Sequence, residues 1–449
     1  MENKVTFGSK FGTLAVVGGS VIGLGNIWRF PYLAGNNGGS AFIIVYILCS
    51  LSIAIPIMIS EFVIGRSTGK NAYGAFKELS KKKIWRFVGL AGIITVFFIF
   101  GFYSVVAGWA ISFIQTSLTS GFTGKDPQVI HSNFINYINS GWKPTLAAGV
   151  FIILTAGIVI GGIQKGIERV NKILMPMLFL IIILLFIYST SLSGFSNAMD
   201  FLLKPDFSKL GLKSVIAAIG QSFFSMSLGM GCMITYGSYI KQKASLSGIA
   251  LTIGLADLTV ALLAGFAIFP GVFTFGIEPT SGPTLIFETL PLVFSMMPFG
   301  NIFAIFFFFL VFIAAITSSV SMLEPICLFT IQEFKLSRTK SIIIISIIIF
   351  ILAVLCAYSQ VDNSSINLFG KNLFDGLNDL TDKILMPFGA LLIILYIGWF
   401  ANKELVRNQF TNNSTILNNG YKLYITVVKY FVPLVLSLFI LNLLGLLQY

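Results

Sequence analysis

The chain has 449 residues, of which 56% are hydrophobic and only 10% are charged. Soluble domains carry about 25% charged residues, and several apolar runs here reach the roughly 20 residues that a helix needs to cross a bilayer. These values exclude a soluble globular domain and predict an all-α polytopic membrane protein. The net charge of +12 does not indicate a nucleic-acid partner, because the basic residues lie mainly in loops between the apolar runs.

Taken in chain order, the apolar runs predict eleven membrane-spanning helices. The first, third, sixth and eighth are the longest, so we expect tilting or interruption in them. The predicted spans cover residues 11–35, 40–63, 86–118, 145–161, 169–192, 214–239, 245–271, 300–333, 340–359, 380–402 and 424–446.

The loops on one side of the predicted bundle are basic. The loop after the second span alone contains Arg66, Lys70, Lys77 and four further cations. By the positive-inside rule this side is cytoplasmic, which predicts a multi-pass protein of the cytoplasmic (inner) membrane in contact with anionic lipids. The N-terminus is then cytoplasmic and the C-terminus extracellular or periplasmic. On the opposite side, the loop 276–299 has no Lys or Arg, and it forms either a lid over an outer vestibule or a surface loop.

Two predicted spans contain residues that break helices. GGSVIGLGN (18–26) interrupts the first span and QSFFSMSLGMG (221–231) interrupts the sixth. Such small residues form either a close helix-packing face or an unwound segment lining a cavity. Because the interruptions stand at matching positions in two halves of the chain, they favour a transporter site between inverted repeats. The predicted organisation is one transporter domain over 1–449, with a first repeat at 11–192, a second repeat at 214–402 and a last helix at 424–446.

Isolated polar residues inside the spans indicate a cation site. Asp257 has apolar neighbours on both sides apart from Thr259, and a carboxylate at the bilayer centre costs about 2.5–3.5 kcal/mol or more. Thr317 and Ser318 add hydroxyls to the eighth span. Oxygen donors without a Cys or His cluster suit a hard cation such as Na⁺. An enzyme is not expected, because no nucleophile stands beside a general base.

Four motifs together resemble the neurotransmitter:sodium symporter family. They are GLGNIWRFPY, NNGGSAF, SLGMGCMITYGSY and TSSVSMLEP. The resemblance covers nearly the whole chain and is closest to the bacterial branch, among transporters of tyrosine and other aromatic or bulky hydrophobic amino acids. It implies a leucine-transporter-type fold of 11 transmembrane helices, with a 5+5 inverted repeat and broken helices 1 and 6.

The same resemblance implies a substrate site and two sodium sites. The implied substrate site comprises Val21, Leu24, Gly25, Ile99, Tyr103, Phe224, Ser225, Ser227, Met230, Ser318 and Met322. The implied first sodium site comprises Val21, Asn26, Ser225 and Asp257, and the second comprises Gly19, Ile22, Ala314, Thr317 and Ser318.

Gates on both sides of the site are also implied by the resemblance. Arg29 matches the family's outer-gate arginine. Its usual acidic partner aligns with Asn378, and Asp379 or Asp375 is the alternative partner. At the inner gate Lys4 replaces the usual arginine, while Gln332 replaces the usual aspartate and has Glu333 beside it. The residues assigned to the outer gate are Arg29, Tyr103, Phe224, Asn378 and Asp379.

Two departures from animal members of the family bear on substrate and ions. Gly23 stands where amine transporters carry an aspartate, so the ligand should bring its own carboxylate, as an amino acid does. Asp257 stands where chloride-binding relatives have a neutral Asn, and Ala261 lacks a hydroxyl. We predict that the Asp257 carboxylate replaces chloride in balancing the sodium charge.

The sequence therefore predicts a Na⁺-coupled secondary active symporter that imports amino acids by alternating access, with two Na⁺ and no chloride. Tyrosine or another aromatic or bulky hydrophobic L-amino acid is the expected substrate. The alternatives are a transporter-like sensor, which would bind without uptake, and an ion channel or leak pore. The sequence leaves open the exact side chain, the sodium stoichiometry, any proton antiport and the oligomeric state.

Overall fold

The computed structural model describes residues 6–276, 285–412, 418–443 and 445–446, most of them in helices. The expectations for Lys4 and for residues 277–284 of the outer loop lie outside this part. The helices are α1 (Lys10–Val21), α2 (Gly25–Asn36), α3 (Ser40–Thr68), α4 (Ala72–Leu79), α5 (Ile84–Thr119), α6 (Pro127–Asn139), α7 (Trp142–Ile160), α8 (Ile163–Ser189), α9 (Phe195–Leu203), α10 (Leu212–Ser225), α11 (Cys232–Tyr239), α12 (Leu246–Thr274), α13 (Ile286–Met296), α14 (Gly300–Phe334), α15 (Arg338–Ser359), α16 (Leu373–Phe400), α17 (Lys403–Phe410) and α18 (Gly420–Leu443).

Both interruptions predicted from the sequence are breaks in the structure. In the first span, α1 ends at Val21 and α2 continues from Gly25 with a bend of 46°. In the sixth span, α10 ends at Ser225 and α11 begins at Cys232. The residues between α10 and α11 cannot continue a helix, because three of them have a positive φ angle. These residues are Ser227, Gly229 and Gly231.

Counting the spans depends on how these breaks are treated. Among the described residues, nine helices are long and apolar enough to cross a membrane, and the bent pair α1–α2 makes a tenth. The predicted sixth span is present as α10 and α11, which have 14 and 8 residues and are each too short to cross alone. All eleven predicted spans therefore have a counterpart.

Two spans begin earlier than predicted. The fifth was expected from residue 169 and begins at Ile163, while the tenth was expected from 380 and begins at Leu373. In both helices the first turns contain charged side chains, which lower the local hydropathy although the backbone is already helical. Hydropathy reports which residues face lipid, and it does not report where helical hydrogen bonding starts.

The centre of the molecule is built from the two longest helices, α5 and α14, which have 36 and 35 residues and pack against each other. The helix α1 lies against α8 and α14, and α11 lies against α3. The outer helices α7, α8 and α15 carry exposed apolar side chains, among them Ile153, Ile173 and Ile347. Exposed apolar surface of this kind suits contact with lipid.

The described part of the outer loop is a packed helix. In α13, Ile286, Phe287 and Leu290 are buried. The Phe287 ring lies 5.3 Å from the rings of both Trp109 and Phe113. Of the two interpretations left open by the sequence, a surface loop is wrong for this segment, since it is folded into the body of the protein.

A two-stranded antiparallel hairpin, β1 (Asn367–Leu368) and β2 (Lys371–Asn372), precedes α16.

Candidate functional site

A buried cavity lies where the two breaks meet α5 and α14. Every residue that the resemblance implies for the substrate site lines this cavity, and the lining adds Ser20, Gly23 and Met386. The sequence reasoning missed Met386, because one methionine in an apolar span carries no signal of its own. The lining residues implied by sequence are Val21, Leu24, Gly25, Ile99, Tyr103, Phe224, Ser225, Ser227, Met230, Ser318 and Met322.

The polar part of the lining offers unpaired groups to a ligand. Leu24 and Gly25 stand at the start of α2, where the N–H groups of a helix have no intrahelical acceptor. The hydroxyl of Tyr103 is buried beside the backbone N–H of Leu24 and the hydroxyl of Ser318, and it makes no hydrogen bond of normal geometry with the described residues. A buried polar atom without a partner is uncommon and needs an explanation. A ligand with a carboxylate would satisfy all three groups.

The apolar part of the lining is formed by flexible side chains. Ile99, Met230 and Met322 are buried around the cavity, and Met386 comes from α16. Thioethers adapt to irregular shapes and contact aromatic rings favourably. No carboxylate lines the cavity, so an amine without an acid group would find no charge partner among the lining residues.

Asp257 lies fully buried at the centre of a hydrogen-bonded cluster. Its Oδ1 accepts from Asn26 Nδ2 and from Ser225 Oγ, each at 2.6 Å, and its Oδ2 accepts from Tyr46 OH at 2.8 Å. The side chain of Gln221 donates to Gly25 O at 2.8 Å. Three donors on one buried carboxylate stabilise its charged form. The structure therefore brings together the side chains implied for the first sodium site and joins both broken helices to α12.

Four of the five residues implied for the second sodium site, all except Ile22, come together between α1 and α14. Ser318 Oγ donates to Gly19 O at 3.3 Å, and Thr317 Oγ1 donates to Ala314 O at 3.1 Å. These hydroxyl and carbonyl oxygens match what a hard cation prefers. The helix α8 adds Asn171, which is fully buried. Its Oδ1 has no partner among the described residues and lies 2.1 Å from the Cβ position that a side chain at Gly19 would occupy.

Sequence reasoning missed Asn171, because it stands between Arg169 and Lys172 at the charged start of the fifth span, where one more polar residue carries no signal.

At the outer side, the structure corrects the partner of Arg29. The guanidinium forms a two-pronged ion pair with Asp382, at 2.8 and 2.6 Å. It therefore does not pair with Asn378, Asp379 or Asp375, and those assignments are wrong. Asp382 follows Asn378 by four residues, so the two lie on the same helix face one turn apart.

The neighbouring acidic residue is engaged elsewhere. Asp379 pairs with Lys371 at 2.6 Å and with Lys383 at 2.9 Å. The Arg29 guanidinium also lies 4.6 Å from the centre of the Phe224 ring, which lines the cavity. The side chains of Arg29 and Asp382 are 12% and 13% exposed, so this pair closes the outer side above the cavity.

At the inner side, the expected latch between Lys4 and Gln332 or Glu333 lies outside the described residues, because Lys4 does. Gln332 Oε1 accepts from the backbone N and the side chain of Asn71, each at 2.8 Å. Glu333 pairs with Lys77 at 3.3 Å. Neither residue forms a hydrogen bond or ion pair with residues 6–9, the described part of the N-terminal segment before α1, and both bond to α4 or the loop before it.

The N-terminal segment is instead held by Glu168, which sequence reasoning missed. Its carboxylate accepts from Gly8 N at 2.7 Å and pairs with Lys172 at 2.6 Å. From the other side, Lys241 Nζ donates to Gly8 O at 2.7 Å. Phe7 N donates to Tyr239 O at 3.0 Å, which ties the segment to the end of α11. Both sides of the cavity are closed in this structure.

Comparison with known proteins shows which family this chain belongs to. The sequence profile of the sodium:neurotransmitter symporter family matches residues 4–133 and 129–448. The chain belongs to the sodium:neurotransmitter symporter family. An uncharacterized sodium-dependent transporter of Bacillus subtilis, YhdH, is 37% identical over 100% of this chain and 99% of its own. An uncharacterized sodium-dependent transporter of Haemophilus influenzae is also 37% identical, over 98% and 99%.

A solved member of the symporter family has the same fold. MhsT in complex with L-phenylalanine superposes with a TM-score of 0.91 at 36% identity, over 98% of this chain and 100% of MhsT. The chain is thus a multi-pass membrane protein with the leucine-transporter-type fold and broken first and sixth helices. As a sodium-dependent symporter of this family it is a transporter and not an enzyme.

Proposed function

We propose that this symporter imports bulky hydrophobic L-amino acids, with tyrosine as the first candidate among aromatic side chains. One observation carries the proposal: the cavity places an unpaired buried Tyr103 hydroxyl and the open start of α2 beside a wall of methionine and isoleucine. The polar end suits an α-carboxylate and the flexible end suits a large apolar group. The complex of the similar transporter MhsT with L-phenylalanine supports the same class of substrate.

Two sodium sites are proposed from the clusters around the cavity. The first joins Val21, Asn26 and Ser225 to Asp257, and the second joins Gly19 and Ile22 on α1 to Thr317, Ser318 and Ala314 on α14. Because each cluster links a broken helix to a helix outside it, a bound cation would draw the two parts together. Two Na⁺ moving with a zwitterion gain about 4.6 kcal/mol at 100 mV, and a tenfold sodium gradient adds roughly 2.8 kcal/mol.

Chloride independence is proposed on the position of Asp257. Its fully buried carboxylate already supplies a negative charge beside the first sodium cluster, where it accepts hydrogen bonds from Ser225 and Tyr46. Ala261, buried on the same helix, offers no hydroxyl to an anion. A second negative charge in the same buried space would be repelled.

For the transport cycle we propose alternating access around this site. Arg29 and Asp382 would part to admit substrate and sodium, and the contacts of Glu168 with the N-terminal segment would part to release them. The positive-inside rule favours a cytoplasmic N-terminus and an outward C-terminus. The two repeats, 11–192 and 214–402, would move relative to each other, each contributing one broken helix.

Uptake of labelled tyrosine into proteoliposomes tests this function. The full chain is reconstituted, and inward gradients of Na⁺ or K⁺ are compared in chloride and in gluconate. We expect Na⁺-driven uptake that is equal in both anions and is blocked by unlabelled tyrosine or phenylalanine but not by glycine or dopamine. Na⁺-driven uptake that glycine blocks as well as phenylalanine does would reject the substrate class, and tyrosine binding without uptake would indicate a sensor. Unsaturable flux far above transporter rates would indicate a channel.

A further inference from the structure

A second cavity lies away from the transport site, at the basic-loop ends of α16, α17 and α18. It has a volume of about 780 Å³ and is open on one side. We call it the α17 groove. Its walls include Gly398 at the end of α16, Val406 on α17 and Ile425 on α18. The α17 groove is separate from the substrate cavity, because the two share no lining residue.

The α17 groove is positively charged. Lys403 and Arg407 of α17 and Lys429 of α18 line it, against one acidic residue, Glu404. Neither Lys403 nor Lys429 forms an ion pair with any residue that the structure describes. Lysines without an acidic partner inside a concave surface raise the local concentration of anions.

Exposed aromatic rings beside the groove indicate the depth of the lipid headgroups. Lys429 is about 13 Å along α18 from its start at Gly420, at 1.5 Å per residue. Its ammonium stands 4.3 Å from the centre of the Trp399 ring and 5.4 Å from that of Tyr430. These two rings are 53% and 56% exposed. Exposed Trp and Tyr mark the boundary between hydrocarbon and headgroups.

The helix α17 is arranged as an interfacial helix. Val406 and Phe410 are buried beneath it, while Lys403 and Arg407, which lie beside them at i, i+3, i+4 and i+7 spacing, are exposed at the edge of the buried face. An amphipathic helix with basic residues on its polar face lies along the membrane surface. Below it, Leu434 on α18 is 60% exposed and continues the apolar surface past Tyr430. The cations therefore stand directly above a surface that accepts an acyl chain.

We propose that the α17 groove binds the headgroup phosphate of an anionic phospholipid, with the acyl chains lying along α18. Lys403 and Lys429 approach the phosphate from two helices, and Arg407 adds charge at the rim. A soluble phosphate would find the same cations, but it would leave the apolar surface below them uncovered. The lipid bridges α16, which carries Asp382 of the outer gate, to α17 and α18.

Native mass spectrometry of the delipidated full chain tests this site. Phosphatidylglycerol and phosphatidylcholine with identical acyl chains are titrated against the wild type, K403Q/K429Q, K403R/K429R and K165Q/K340Q. The last variant removes two exposed lysines from the start of other spans on the same side. Each lysine near an anionic headgroup contributes about fivefold in affinity, so K403Q/K429Q is expected to bind phosphatidylglycerol roughly 25-fold more weakly. The arginine and control variants should bind it as the wild type does, and phosphatidylcholine should bind all four equally.

Three outcomes would overturn the proposal. Unchanged phosphatidylglycerol affinity in K403Q/K429Q would remove the site, and an equal loss in K165Q/K340Q would indicate diffuse surface charge. Displacement of phosphatidylglycerol by an equal concentration of glycerol 3-phosphate would assign the groove to a soluble phosphate. The result does not depend on transport, so it stands or fails separately from the proposed function.

Discussion

Among single residues, Asp257 bears most directly on ion dependence. Its carboxylate is buried and holds side chains from three helices, Asn26, Tyr46 and Ser225. If this charge replaces chloride, Asp257→Asn should lower uptake in gluconate at least about tenfold, and chloride should restore part of it, since a free anion can then supply the missing charge. Asp206→Asn, at an exposed residue, is the control in the same assay. Na⁺-driven uptake of Asp257→Asn that remains independent of chloride would contradict the prediction.

The Tyr103 hydroxyl allows binding to be separated from stability. Because it makes no hydrogen bond of normal geometry with its polar neighbours Leu24 N and Ser318, Tyr103→Phe should change the melting temperature little. It should weaken tyrosine binding about 10- to 100-fold, the value of a hydrogen bond to a charged group. Tyr137→Phe is the matched control: that hydroxyl is bonded to Ser112 at 2.8 Å, outside the site. Equal tyrosine affinities by scintillation proximity for the two variants would remove Tyr103 from the site.

The outer gate gives a direct test of which acid pairs with Arg29. Asp382→Asn removes a two-pronged charged contact, and we expect tyrosine uptake to fall at least about tenfold, because such bonds are worth roughly twice neutral ones. Asp379→Asn removes an acid that binds Lys371 and Lys383 instead, and uptake should change less than about twofold. A greater loss in Asp379→Asn than in Asp382→Asn would restore the assignment made from the sequence.

Prediction at this scale depended on whether a motif surrounds the residue. Asn26 and Ser318 sit inside motifs whose spacing is specific, so the resemblance assigned them to the site. The structure places Asn26 in the Asp257 cluster and Ser318 in the lining of the cavity. Asp382 stands in a helix without such a motif. There, placing the family's acidic gate position one helical turn too early assigns it to Asn378 instead of Asp382. Asn171 and Glu168 stand among other polar residues at the start of α8, outside any such motif. Gly8, which Glu168 binds, and Gly19, which Asn171 faces, are more than 150 residues away in sequence.

At the scale of elements, the break between α10 and α11 depends on a glycine. Gly229 has a φ of 76°, and a Cβ there would lie 2.2 Å from Met386 O. Its N–H also donates to Glu61 Oε1 at 2.7 Å. Gly229→Ala should therefore lose more than about 1–3 kcal/mol of stability, the cost of such a conformation in a residue with a side chain.

The matched control is Gly157→Ala, at a helical position where a Cβ would meet nothing within 4 Å. This variant should be as stable as the wild type or slightly more so, because alanine favours helices. Thermal melting followed by size-exclusion chromatography in detergent compares the two. A Gly229→Ala protein that melts with the wild type would show that the break adapts without glycine.

Elements were predicted well where hydropathy and helix breakers agree. The breaks appeared in the sequence as glycine and serine inside apolar runs, because such residues oppose a helix in lipid. The starts of α8 and α16 were set too late, since charged first turns are helical without being apolar. The sequence did not decide whether the segment of α13 forms a lid or a surface loop, because burial of Phe287 against Trp109 depends on residues distant in the chain.

At the scale of the whole molecule, closure of the inner side depends on Glu168. Glu168→Ala removes a carboxylate that accepts from Gly8 N and pairs with Lys172. We expect amide hydrogen exchange of residues 6–12 to rise about 10- to 100-fold, the range for loss of a charged hydrogen bond. Glu78→Ala, which removes an exposed pair with Lys70, is the control. Unchanged exchange in Glu168→Ala would assign closure to Phe7 and Lys241 alone.

The sequence by itself determined that the chain spans a membrane, where its helices lie, which two are broken and which family it resembles. These properties follow from local hydropathy, from helix breakers and from motifs of fixed spacing. Only the tertiary structure decided that Arg29 meets Asp382, that Glu168 holds the N-terminal segment, and that three helices enclose the basic α17 groove. Those contacts join residues that are far apart in sequence. A charged side chain pairs with whichever opposite charge the fold brings within contact distance, and the local sequence does not specify that distance.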